Sequence, residues 1–204
     1  IYPELLAGRI ENRAITPDDL HPNDDGHELV ASVIIHVLEQ IRVSAGMEVK
    51  SDSGEAEKVP LTANAYEDSI RYQNDSAVFT ANGFVADQDR QDGITDIFKN
   101  GWTANQKGAT ITFEVEGSCI GIQYRKTIKL PAPVAEVVID DDSTHAVRLD
   151  ANFDETWGDK LQLDTIAEHI EKEKHKVQIT ITETHETDQL PFYLVSVIAS
   201  GKEK

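Results

Sequence analysis

Asp18 and His21 lie three residues apart in the stretch Thr16-Pro17-Asp18-Asp19-Leu20-His21-Pro22-Asn23-Asp24-Asp25-Gly26-His27. An imidazole serves as a general base when a carboxylate takes one ring N–H and fixes the tautomer. The other nitrogen is then free to accept a proton. In a tight loop a spacing of three lets the two side chains meet without help from distant parts of the chain. Pro22 disfavours helix at the residue before it, which keeps the His21 ring in the loop. A plainer reading makes this a capped helix start whose histidine merely packs. The company of Pro22, Asn23, Gly26 and His27 ahead of a helix favours the acid–base reading. Asp18, His21 and His27 could also ligate a metal. No further ligand cluster accompanies them, so neither a metal nor another cofactor is expected.

Other residues invite weaker chemistry. Trp157, in Asn152-Phe153-Asp154-Glu155-Thr156-Trp157-Gly158-Asp159, and Trp102 could each stack on the C–H face of a sugar. The ordinary role of both is core packing or anchoring a strand edge. Trp157 is the better sugar candidate because its neighbours read as a loop. Asp140-Asp141-Asp142 offers hard oxygen ligands for calcium, but a turn of solvated acids is the more ordinary reading. The run Glu168-His169-Ile170-Glu171-Lys172-Glu173-Lys174-His175-Lys176 reads as a solvated charged face, and His36 as a solvated side chain.

The loop must be held by the helix behind it. Leu29, Val30, Val33, Ile34, Val37, Leu38 and Ile41 recur at spacings of three and four, which predicts a helix over 26–43 with one apolar face. Asn23, Asp24 and Asp25 suit its N-terminus, where free amides and the dipole favour oxygen and negative charge. Gly46 suits its end. That apolar face needs a partner, either the rest of the protein or a second copy, so a homo-oligomer is one expectation.

From about residue 60 the texture changes to strands. Thr110–Glu116 alternates polar and apolar, Gly117-Ser118 turns, and Cys119–Tyr124 follows. Glu136–Asp140 and His145–Leu149 read as a hairpin, and Lys176–Thr182 alternates again. Phe192–Ile198 reads as a strand buried on both faces. Thr165–Lys172 reads as a short helical excursion. Short strands separated by turn signals predict a β-sandwich. The organisation expected is residues 1–45, a small and polar connector over 46–59, and a sandwich domain over 60–204.

The block Asp-x-x-His-Pro-Asn-x-x-Gly-His ahead of an amphipathic helix resembles the last motif block of the SGNH (GDSL-type) hydrolases. These are α/β esterases and deacetylases with a flavodoxin-like core. The resemblance implies that Asp18 is the acid and His21 the base of a Ser-His-Asp triad. It also implies that Asn23 and Gly26 shape the turn, and that the helix is the last of the hydrolase domain. His27 matches a position without a general catalytic role. The family's Gly-Asp-Ser block, its oxyanion glycine block and its Gly-x-Asn-Asp block are not found in this sequence, and no Gly-x-Ser-x-Gly elbow replaces them. Ser118 stands where a turn between strands needs small residues, and is not expected to be the nucleophile. The chain, which starts at Ile1, therefore reads as the C-terminal part of a longer hydrolase whose serine lies on a missing N-terminal segment. Asn100-Gly101-Trp102, Gly108–Phe113, Gly117–Tyr124 and Pro191–Leu194 resemble the jelly-roll sandwich attached to some bacterial SGNH carbohydrate esterases. The fold class implied is mainly β, a jelly-roll-like sandwich preceded by the terminal loop–helix segment of an SGNH α/β domain. The substrate class implied is a small ester or an acetylated saccharide. The competing reading is a non-catalytic carbohydrate-binding or structural module.

Composition narrows the field further. The 204 residues hold 19 Lys and Arg against 37 Asp and Glu, a formal charge of −18. Such a surface repels phosphate backbones and anionic headgroups, so neither nucleic acid nor a membrane is an expected partner. No apolar run approaches the ~20 residues that a bilayer requires. The single Cys119 excludes an internal disulfide framework. None of this fixes the compartment.

Overall fold

The structure, a computed structural model, describes residues 2–45, 66–168 and 170–201. It divides into two compact units, 1–59 and 60–204. The connector expected over 46–59 and the stop at Gly46 lie outside the described residues.

The first unit contains α1 (Tyr2–Leu6), α2 (Asn12–Ile15) and α3 (Asp24–Ala45). Helix α3 exceeds the predicted range by two residues at each end. Asn23 explains its start. The Asn23 Oδ1 accepts from the Gly26 amide at 2.9 Å, which satisfies one of the orphan donors of the first turn. Its Nδ2 donates to the Ala14 carbonyl at 2.8 Å, and its backbone amide to that of Ile15 at 3.0 Å. One side chain thus ties the end of α2 to the head of α3. Gly26 is buried at this junction, and a Cβ there would lie 2.3 Å from the Ile15 carbonyl oxygen. Val30, Val33, Ile34, Val37, Leu38 and Ile41 on α3 are between 42% and 59% exposed. His36 is exposed, as expected.

The second unit is a jelly-roll-like sandwich of two antiparallel sheets. Its strands are β1 (Ile70–Tyr72), β2 (Phe79–Asn82), β3 (Val85–Ala86), β4 (Trp102–Ala104), β5 (Thr110–Gly117), β6 (Cys119–Lys126), β7 (Val134–Ile139), β8 (Val147–Asp150), β9 (Lys160–Ala167), β10 (Glu173–Glu183) and β11 (Phe192–Ser200). One sheet runs β3-β4-β11-β6-β9, with β1 also on β11. The other runs β2-β5-β10-β7-β8. The period-two pattern decides which side chains meet between the sheets. Ile111, Phe113 and Val115 of β5 face inward, as do Val177, Ile179 and Ile181 of β10. Each such fully buried apolar side chain contributes about 1.5–3 kcal/mol. Strand β11 lies between β6 on one edge and β1 and β4 on the other, and is buried on both faces.

Three expectations are corrected. Thr165–Ala167, predicted helical, belongs to β9. Thr165 pairs with Gly121 and Ala167 with Ile120, so the ladder to β6 overrides the local helical preference. His145 lies in a short 3₁₀ turn (Ser143–His145) rather than in the strand, because Asp142 caps that turn through the Thr144 amide. His175 is no part of a solvated face. It occupies an inward position of β10 and is 4% exposed.

Candidate active site

The loop between α2 and α3 is shaped by its own side chains. Thr16 Oγ1 donates to the Asn12 carbonyl at 3.0 Å and closes the end of α2. Asp19 takes φ +64°, a left-handed conformation that Asp tolerates better than most residues. Its carboxylate accepts from Asn12 Nδ2 at 2.7 Å and from Arg13 Nη2 at 3.1 Å. The Asp18 carboxylate then turns back on the chain. Oδ1 accepts the amides of Leu20 (3.1 Å) and His21 (2.7 Å), and Oδ2 accepts the His21 ring Nδ1–H at 2.7 Å.

These contacts fix both partners. The hydrogen bond from the His21 ring, followed by the backbone amides of His21 and Leu20, holds the Asp18 carboxyl below the usual carboxylate range. Asp18 is therefore ionised at every pH where the neutral imidazole is a useful base. With Nδ1 committed to Asp18, Nε2 is the nitrogen left to accept a proton. The side chain of His21 is 77% exposed, so that nitrogen is reachable. His27 is exposed as well. Among the described residues, no group of His, Cys, Asp or Glu is arranged to hold a metal ion.

The two tryptophans divide. Trp102 is wholly buried and meets Phe79 and Phe113 edge-on, with ring centroids 5.2 and 5.1 Å away. A ring enclosed in the core has no face for a sugar, which corrects its candidacy. Among the described residues, its Nε1 finds no hydrogen-bond partner. Trp157 is 66% exposed and stands edge-on to Phe153 at 5.2 Å. The next residue, Gly158, has φ +144°, which favours glycine. Asp159 anchors the loop beyond it, accepting from Thr127 Oγ1 at 2.7 Å and lying 3.8 Å from Arg125 Nε.

Sequence reasoning missed two further imidazole–carboxylate pairs and gave a third no partner. Asp142 and His145 share the spacing of Asp18 and His21 and the same 2.7 Å contact. His185 meets Asp188 at 3.0 Å, and His175 meets Asp140 at 2.7 Å. The first two were findable from a spacing of three. The last joins residues 35 positions apart and left no local signal. The three acids offered as calcium ligands are engaged within the protein. Asp140 holds His175 and the Lys176 amide, Asp141 holds Lys176 Nζ, and Asp142 holds Thr144 and His145. Ser118 sits in the turn after β5, where its amide donates to the Ser200 carbonyl at 2.8 Å.

A spacing of three thus produces such a pair wherever a turn allows it. The whole chain superposes on the crystal structure of a two-domain esterase active on acetylated mannans, co-crystallised with mannopentaose. The TM-score is 0.88 and the identity 60%, over 100% of this chain and 53% of that one. The chain is homologous to a two-domain esterase. A second crystal structure of such an esterase active on acetylated mannans matches at TM-score 0.90 and 59% identity, over 99% of this chain and 54% of its own. This chain therefore spans about half the length of these homologues. No family model and no curated protein matches it.

Proposed function

We propose that this chain supplies the acid and the base of a serine esterase of the SGNH type that deacetylates carbohydrate, acetylated mannan being the favoured substrate. The observation that carries the proposal is the Asp18–His21 pair, with Nδ1 bound and the ring largely exposed, in a chain homologous to an esterase active on acetylated mannans. The nucleophilic serine would come from a part of the protein that this sequence does not include. That serine attacks the acetyl carbonyl while His21 Nε2 takes its proton. The imidazolium then protonates the sugar oxygen as the acyl–oxygen bond breaks. Water, deprotonated by the same nitrogen, attacks the acyl-enzyme, and the imidazolium returns that proton to the serine oxygen as the acyl–oxygen bond breaks and acetate leaves. Asp18 orients the ring and stabilises its positive charge through both halves. In an acetate-release assay on acetylated mannan, the longer protein turns over and this chain alone does not. Turnover by this chain alone contradicts the proposal.

The exposure of Trp157 supports a second role, saccharide recognition by the sandwich. Calorimetric titration with mannooligosaccharides tests it. The expected result is saturable heat, and an affinity weakened about tenfold (about 1.4 kcal/mol) by Trp157→Ala. Equal affinity in the variant rules out the stacking role.

A further inference from the structure

His175 occupies a core position of β10, in line with Val177, Ile179 and Ile181. An imidazole there is costly unless its ring nitrogens are satisfied. Both are: Nδ1 lies 2.7 Å from Asp140 Oδ2, and Nε2 lies 3.0 Å from the Glu171 carbonyl oxygen. An ionised carboxylate and a carbonyl can only accept. A neutral imidazole has one donor and one bare nitrogen, so it would set a lone pair against one of them. We infer that His175 is held as an imidazolium donating from both nitrogens, and that it acts as a proton-dependent clasp between the β7–β8 turn and the β9–β10 connection.

The clasp closes one side of a cavity of about 540 Å³ that lies between these two segments and includes Ile139, Ile166, Ala167 and Ile170 in its wall. Among the described residues, acidic groups around the ring outnumber basic ones. From the β7–β8 turn come Asp140, Asp142 and the exposed His145, with Asp141 held by Lys176 Nζ. From the β9–β10 connection come Glu168, which accepts from Tyr66 at 2.5 Å, and Glu171, with Lys172 exposed beside it. From β10 itself come Glu173, Lys174 and Lys176. Across the ladder on β5 the residue facing His175 is Val115, while Glu114 and Glu116 are exposed on the other face.

Burial pulls the imidazole's pKa down. The Asp140 hydrogen bond, the Glu171 carbonyl and the charges of Asp140 and Glu173 outweigh it, and the pKa is raised above the ordinary value. For a group raised in this way, the stabilisation is complete below the ordinary histidine pKa of about 6.5. It is lost as pH rises through the raised value. The connection at 170–173 therefore loosens, and that side of the cavity opens, under alkaline conditions.

Hydrogen exchange of the whole chain tests this between about pH 6 and about pH 9, corrected for intrinsic rates. Protection at 170–173 should fall by about tenfold for each unit by which the clasp raises the imidazole, while the centre of β10 stays protected. Asp140→Asn, which removes the anion, should move the fall to lower pH. Nitrogen NMR of the unaltered protein provides a measurement that needs no variant. It should show both His175 ring nitrogens protonated at about pH 6. One bare ring nitrogen there, or equal protection at the two ends of the range, would overturn the inference.

Discussion

His21 is clamped through Nδ1. Asp18 accepts its Nδ1–H at 2.7 Å and is itself fixed by two backbone amides, so the carboxylate cannot swing away without breaking three hydrogen bonds. This arrangement was legible in the sequence because every contact in it spans three residues or fewer. The same locality explains why Asp142 and His145 form an equivalent pair, and why spacing alone could not rank the two. His175 with Asp140 was illegible for the opposite reason, since strand pairing brings together residues far apart in the chain. If Asp18 holds the tautomer, Asp18→Asn in the longer protein should lower kcat roughly 10³–10⁴-fold, with substrate affinity little changed. The ground is that an amide can present its N–H to Nδ1 and move the ring proton to Nε2. Wild-type turnover in that variant would show that the carboxylate does not set the tautomer.

Among the elements, the junction of α2 with α3 decides where the pair points. Asn23 caps α3 while gripping the end of α2, and Gly26 lets the two helices approach. In an exposed helix interior, Gly→Ala stabilises by about 1 kcal/mol. At position 26 the sign should reverse, because the new Cβ would sit 2.3 Å from the Ile15 oxygen. We expect Gly26→Ala to cost about 1–3 kcal/mol and to lower the thermal midpoint followed by helical ellipticity. A raised midpoint would show that the junction is loose. Periodicity revealed α3 and most of the strands, since their apolar spacing is imposed by the faces they bury. It failed at Thr165–Ala167, where a neighbouring strand edge, invisible in local sequence, claimed the segment. It also left Trp102 and Trp157 equivalent. Only the register of β4 against β11 puts the first inside the core.

At the scale of the whole molecule, this chain accounts for 53–54% of the length of homologous esterases. It carries a carboxylate-braced imidazole and a sandwich, and no Gly-x-Ser-x-Gly elbow. The triad proposed is divided between this chain and the rest of the protein, with the imidazole as the group through which protons pass in both directions. The most direct measurement is the rate of acetate release from acetylated mannan by the longer protein carrying His21→Ala, set beside its affinity for unacetylated mannooligosaccharide. Turnover should fall roughly 10³-fold or more with that affinity retained. Turnover within a few-fold of the unaltered protein would contradict the proposed role of His21.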